Sequence, residues 1–168
     1  MTIIQASSAP RYRWKINSPV GELRLFACGD RLAGIYFDAH KPAPKDTSGI
    51  ADVSPFAAVI RQLDAYFAGS CDRFRIPLDL EGTEFQQAVW SELQMIPYGK
   101  TKSYSEVAVA CGRSKAVRAV GAAVGRNPIS IVIPCHRVVG ANGALTGFAG
   151  GVQRKKFLLG HESHSQQK

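Results

Sequence analysis

The apolar residues of this chain change period at Glu81-Gly82. Before that point short strand-like apolar segments dominate, with one run of helical spacing from Phe56 to Phe67; after it helical spacing dominates, apart from the apolar run Ile129 to Ile133. Alternation sets one face of a strand against a core, and three-to-four spacing sets one stripe of a helix there. The chain therefore reads as α+β, a sheet-plus-helix unit over residues 1–80 followed by a mostly helical unit over residues 81–168.

Within the first unit, Tyr12 to Ile16, Leu23 to Phe26 and Leu32 to Phe37 are strand candidates separated by turn clusters, and residues 38 to 53 read as a loop. Ser54-Pro55 predicts a helix start with Ser54 as N-cap, and Gly69 predicts its end. Phe74, Ile76, Leu78 and Leu80 alternate with polar residues and proline, which predicts a further strand. In the second unit, Thr83 caps one helix. Ser103 with Glu106 forms a capping box for a helix running to Cys111, and Ser114 caps another from Lys115 to about Val124. Ile129 to Ile133 predicts a buried strand. Residues 139 to 151 are glycine-rich and predict a loop, and Val152 to Leu159 predicts a short basic helix.

Charge is divided as unevenly as periodicity. From residue 100 onward 11 Lys and Arg face two acids, a net +9, whereas the first 99 residues carry −1. Such a basic half suits a polyanion, above all nucleic acid, although a solvated basic face has the same composition. No apolar run reaches the ~20 residues that span a bilayer. Residues 1 to 10 lack the pattern of an export leader, so a cytoplasmic protein with reduced thiols is expected. The four cysteines form no CxxC pair and no Cys/His cluster, so no metal site is expected.

Two features carry chemistry. The helices 104–111 and 115–124, joined by a short glycine-containing turn, have the outline of a helix-turn-helix, the second helix offering Lys115 and Arg118. The same outline serves as a plain packing unit. Cys135 follows an apolar run and Pro134 and precedes His136 and Arg137. Positive neighbours and a histidine are what activate a thiol, provided the chain turns directly after the proline, since successive strand side chains face opposite ways. A buried inert cysteine fits the same letters. A histidine acting as base needs an orienting group, and only Glu106 and Glu162 remain after residue 99. Glu106 is taken by its capping box, which leaves Glu162, itself read from pattern alone as a tail residue beyond the last helix.

Taken together, these segments resemble the O6-alkylguanine-DNA alkyltransferases. The resemblance covers about half of the chain. It runs through Gly82-Thr83-Glu84-Phe85-Gln86-Gln87, Ile96-Pro97-Tyr98-Gly99, Ser103-Tyr104, Ala116 to Gly121, Arg126-Asn127-Pro128, Ile133 to Gly140 and His161-Glu162. It implies a ribonuclease-H-like N-terminal domain and a DNA-binding, alkyl-accepting C-terminal domain with a helix-turn-helix. Cys135 is implied as the acceptor nucleophile, His136 as the base acting through a water, Glu162 as its orienting carboxylate, and Tyr104 as the hydrogen-bond donor to the damaged guanine. Arg118 is implied as the wedge that replaces an extruded nucleotide, with Ser114, Lys115, Ala119 and Gly121 on the DNA-facing helix. Asn127 is implied as a brace. Val138, Phe148 and Gly150 are implied around the base pocket, and Arg137 in support of the fold. Ser105 and Phe148 depart from the residues that relatives carry there, glycine and tyrosine.

The implied activity is single-turnover transfer of a methyl or alkyl group from O6-alkylguanine, and from O4-alkylthymine, in double-stranded DNA. No cofactor is implied. The protein is expected as a monomer in solution, with cooperative assembly on DNA left open. Two rivals use the same features differently: a module that recognises alkylated DNA without transfer, and a cysteine hydrolase.

Overall fold

A computed structural model describes residues 8–167 of the chain. The leader reading of residues 1–10 falls mostly outside them. Strands β1 (Arg11–Ser18), β2 (Gly21–Cys28) and β3 (Arg31–Phe37) form an antiparallel meander, and β4 (Ile50–Ala51) pairs in parallel with the other edge of β1. The sheet order is β3-β2-β1-β4. Period-two burial is clearest in β2, where Leu23, Leu25 and Ala27 are buried. Helix α1 (Ala57–Phe67) adds Val59, Leu63 and Tyr66 to the same core at four- and three-residue spacing.

The second half is a helical unit of mixed α+β context, as the period change predicts. Helices α2 (Glu84–Gln94), α3 (Tyr104–Ala110) and α4 (Val117–Gly125) pack on one another, and Trp90 of α2 donates its indole N–H to the Ala123 carbonyl of α4 at 2.9 Å. Both capping boxes form, Thr83 with Gln86 and Ser103 with Glu106. Short strands β5 (Lys102–Ser103) and β6 (Val138–Val139) pair in parallel, and α5 (Val152–Ser165) closes the fold. No helix among the described residues is long and apolar enough to cross a membrane.

Several elements differ from the sequence expectation for physical reasons. The loop 38–53 contains β4. Ser54 does not cap α1: its hydroxyl donates to the Asp52 carboxylate, residues Ser54–Phe56 form a 3₁₀ turn around Pro55, and the α-helix starts at Ala57. Residues 74–80 make only an isolated bridge at Leu78 to Leu32, because Pro77 offers a carbonyl but no N–H to a ladder. Ser114 lies in the turn before α4, whose N-cap is Ala116. Ile129–Ile133 is a tight turn, with Ile131 at φ 72. Finally, α5 runs through Gly160 to Ser165, so Glu162 sits inside a helix and not in a tail.

The two halves share one core and several polar ties. The edge of β3 hydrogen bonds the segment before the cysteine, Ile35 N–H to Pro128 O at 2.9 Å and Ser130 N–H to Ile35 O at 3.1 Å. Arg154 of α5 donates to Val20 O at 2.7 Å and pairs with Asp38.

Candidate active site

Cys135 stands at the start of a single 3₁₀ turn, Cys135–Arg137, immediately after Pro134. This turn satisfies the condition that the sequence imposed, since three consecutive side chains now diverge from a turn and not from a strand. The preceding loop is held by Asn127. Its amide N–H donates to Ile133 O at 2.8 Å, and its carbonyl accepts from Ile129 N–H at 3.0 Å. β-branched residues seldom adopt the left-handed φ of Ile131, so the loop needs such a clamp to hold its shape. Asn127, 2% exposed, thereby connects the end of α4 to the cysteine.

Behind the cysteine lies a buried polar cluster centred on Glu162, which is completely buried. Five donors converge on its carboxylate. Tyr66 O–H (2.8 Å), His136 Nε2 (2.7 Å) and Arg137 Nη2 (3.0 Å) reach Oε1; Arg137 Nε (2.9 Å) and Gly99 N–H (3.2 Å) reach Oε2. Burial alone would push the pKa of this carboxyl group up, but the bonds and charges of His136 and Arg137 outweigh it and hold it well below the usual carboxylate range. An ionised carboxylate only accepts, so His136 must donate through Nε2. Its other ring nitrogen, Nδ1, is buried with no partner among the described residues. Complete burial favours the neutral imidazole, assisted by the charges of Arg137 and Lys155 and opposed by Glu162. The result is a neutral histidine with its tautomer fixed and its basic nitrogen free.

Cys135 is buried, at 4% exposure, and desolvation pushes its thiol up, opposed by Asn127 and Lys155. It lines a cavity of about 380 Å³ together with Tyr104, Asn127, Gly121 and the loop Thr146–Ala149. Phe148 is one wall and packs edge-on to Phe37 with ring centroids 5.7 Å apart. Gly150 sits behind that wall, where a Cβ would come within 2.3 Å of the Phe37 ring. Val138 is buried in β6 and does not line the cavity. Arg137 likewise lies behind it, its Nη1 donating to Ile96 O at 2.7 Å. A larger, shallower groove of about 920 Å³ over Arg13, Lys15 and Arg24 on the sheet contains no thiol or histidine.

Of the DNA-facing candidates, Ser114 and Lys115 are exposed in the turn before α4, Arg118 and Ala119 are exposed on its first turn, and Gly121 lines the cavity. Among the described residues, no group of three or more His, Cys, Asp or Glu side chains is placed to hold a metal ion.

Comparison with known proteins gives this geometry a context. Residues 84–164 match the 6-O-methylguanine DNA methyltransferase DNA binding domain, and residues 12–80 match the ribonuclease-like domain of the same proteins. Over 144 residues the chain is 48% identical to the methylated-DNA–protein-cysteine methyltransferase of Mycobacterium bovis, covering 86% of this chain and 87% of that one. The chain belongs to the methylated-DNA–protein-cysteine methyltransferase family. A family member from Methanosarcina acetivorans is 47% identical over 143 residues, 84% of this chain and 92% of its own. The crystal structure of Mycobacterium tuberculosis OGT in complex with DNA has the same fold, with a TM-score of 0.89 at 45% identity, covering 92% of this chain and 94% of that chain.

Three site residues of this methyltransferase escape sequence reasoning. Tyr66 falls outside the apolar stripe Phe56, Val59, Ile60, Leu63 and Phe67 that marks α1 in the sequence. Val124 carries no signal beyond its place at the end of the predicted helix, yet it lines the cavity. Lys155 reads as one of three consecutive bases on a surface helix, yet it is 1% exposed, with Nζ 3.4 Å from Thr146 O and 5.8 Å from the Tyr104 ring centre. Buried lysines are rare unless paired, and the sequence signal was available only as a base at a core-facing helical position.

Proposed function

We propose that this protein repairs alkylated DNA by moving a methyl or larger alkyl group from O6 of guanine, and from O4 of thymine, onto Cys135 Sγ. The observation that carries the reading is the joint placement of Cys135 on the cavity wall and His136 beside it, with Nε2 tied to an ionised Glu162 and Nδ1 unengaged. His136 Nδ1 takes the thiol proton, directly or across one water. The thiolate attacks the alkyl carbon. The S–C bond forms as the C–O6 bond breaks, and the electron pair remains on the base, where the Tyr104 hydroxyl donates toward it. The product thioether has no hydrolytic exit, so each molecule acts once. A pure recognition module has no need of this proton path, and a hydrolase has no need of the basic face beside the cavity.

The target base must leave the duplex to reach a thiol that is 4% exposed. In this reading α3 and α4 form a helix-turn-helix, α4 approaches the groove, and Arg118 occupies the space of the flipped nucleotide while Lys115 and Ser114 contact the phosphates. In this reading the protein is a monomer in solution, with assembly on DNA left open, and resides in the cytoplasm, where its four free cysteines stay reduced.

Incubation with duplex DNA bearing O6-methylguanine is expected to add one methyl group to the Cys135 peptide, read by mass spectrometry. Methyl on Cys28, Cys71 or Cys111 instead, or more product than protein, overturns the reading. Arg118→Ala is expected to slow repair of duplex DNA on the order of tenfold while leaving dealkylation of free O6-benzylguanine nearly unchanged. Equal slowing with both substrates removes the wedge role.

A further inference from the structure

Among the donors to Glu162, one comes from the other half of the chain. Tyr66 lies on α1, 96 residues away in sequence, and its hydroxyl reaches Glu162 Oε1 at 2.8 Å, the same oxygen that receives His136 Nε2 at 2.7 Å. We propose that Tyr66 is a positioning residue for alkyl transfer, which sets how strongly Glu162 holds the His136 proton and so couples the sheet-bearing half to the acceptor thiol.

The inference rests on the proposed role of His136 as base. Tyr66 is completely buried, and its backbone carbonyl accepts a 2.7 Å bond from His161 Nε2, so the ring approaches Glu162 from a fixed helix. Its ring is also fixed by contacts with Tyr98, Phe74 and Phe67. Burial and the neighbouring Glu162 charge hold the phenol far above its ordinary value, so it remains a donor throughout the working pH range. A neutral donor draws charge from the oxygen it binds and makes that oxygen a weaker acceptor for its other partners. Oε1 receives three donors, Tyr66, His136 and Arg137 Nη2, and donors that share an oxygen compete: a stronger Tyr66 bond means a weaker pull on His136. The ionisable groups around the pair are Cys135, Arg137 and Lys155 on the histidine side, and Tyr98, Arg137 and His161 on the tyrosine side. Arg137 spans both carboxylate oxygens, Nε on Oε2 and Nη2 on Oε1, and supplies a fixed charge, which leaves Tyr66 as the neutral side-chain donor that adjusts Oε1.

The sign of the effect follows. Without the Tyr66 hydroxyl, Oε1 carries more charge and stabilises the protonated imidazole. His136 then stays protonated to higher pH, and the acidic limb of the transfer rate moves to higher pH. The test is the single-turnover pH–rate profile of the full-length protein on O6-methylguanine duplex DNA. For Tyr66→Phe the acidic midpoint is expected about half a unit to one unit higher, with transfer near that midpoint several-fold slower. Installing 3-fluorotyrosine at position 66 keeps the shape and strengthens the donor, and is expected to move the midpoint the opposite way. Leu63→Ala, a core change on the same helix, is expected to lower the melting temperature and leave the midpoint in place. Tyr66→Phe and 3-fluorotyrosine profiles that both keep the unmodified midpoint overturn the proposal, and this holds for the fluorinated protein alone if Tyr66→Phe does not fold. Failure of the unmodified protein to place methyl on Cys135 overturns instead the reading on which it rests.

Discussion

Cys135→Ala is expected to abolish methyl transfer completely while binding methylated duplex DNA within about twofold of the unmodified protein, since the buried sulfur makes no phosphate contact of the kind that dominates such affinity. The physical case lies in what the other thiols lack. Cys28 is buried at the end of β2 with its sulfur directed at Ala9 O, 3.8 Å away. Cys71 is directed at Arg73 O, 3.3 Å away. Cys111 closes α3, with its thiol pushed up by burial, then by Glu92. None of them lines the cavity that holds Tyr104, and none adjoins a histidine whose free nitrogen can accept its proton. Loss of the Cys135 sulfur deletes one buried atom, and the expected stability cost is about 1 kcal/mol. Gel-shift titration and intact-mass measurement on one sample check both halves of the prediction. Any methylated Cys135→Ala protein places the acceptor elsewhere. DNA binding lost together with transfer makes the residue structural.

This site was legible in the sequence to an uneven degree, and the unevenness has causes. The Cys135–His136 pair stands out because the two adjoin in sequence, and the structure supplies the turn after Pro134 that strand geometry demands of such a pair. The Thr83 cap and the Ser103–Glu106 capping box were legible because they are local, three residues from end to end, whereas the return bond from Gln86 is a finding of the structure. Ile129–Ile133 was misread because an apolar run carries no record of φ; the turn depends on Asn127, whose side chain pairs with backbone two and six residues away. Alternation over residues 74–80 does not make a strand, because Pro77 lacks the N–H that a ladder needs. Glu162 falls beyond the predicted helix Val152 to Leu159, yet it sits inside α5. The helix continues because its last turns are anchored by contacts the local sequence does not contain, His161 to Tyr66 and Gln166 to Tyr98 O. Tyr66 and Lys155 were out of reach for the same reason: each is defined by a partner far along the chain.

Those long-range partners make Glu162 the residue whose loss is expected to be felt most widely. Glu162→Gln keeps the volume and removes the charge. The glutamine amide offers one accepting oxygen and one donating nitrogen where five donors now meet two accepting oxygens. Either Arg137 Nε and Gly99 N–H or the Tyr66, His136 and Arg137 Nη2 group must then face N–H, and the Arg137 charge, only 6% exposed, is left without its counterion. Breaking a buried pair from one side costs about 3–5 kcal/mol. For a chain of this size that is a fall in melting temperature on the order of 10 °C. The sign with pH is set by the depressed carboxyl group of the folded protein: Glu162 stabilises the fold above the ordinary carboxylate range, near pH 4.3, and that stabilisation is lost as pH falls toward its folded value. The gap between the two proteins is therefore expected to be full at neutral pH and to narrow as acid is added below about pH 4. Transfer falls as well, on the order of 10²-fold, because an amide no longer compels His136 to donate through Nε2. Calorimetric melting at pH 7 and in acid, with single-turnover kinetics below the variant's melting range, checks each part. A Glu162→Gln protein that melts with the unmodified protein at pH 7 removes the five-donor carboxylate from the account of stability. One that melts early but transfers at the normal rate removes it from the account of the chemistry.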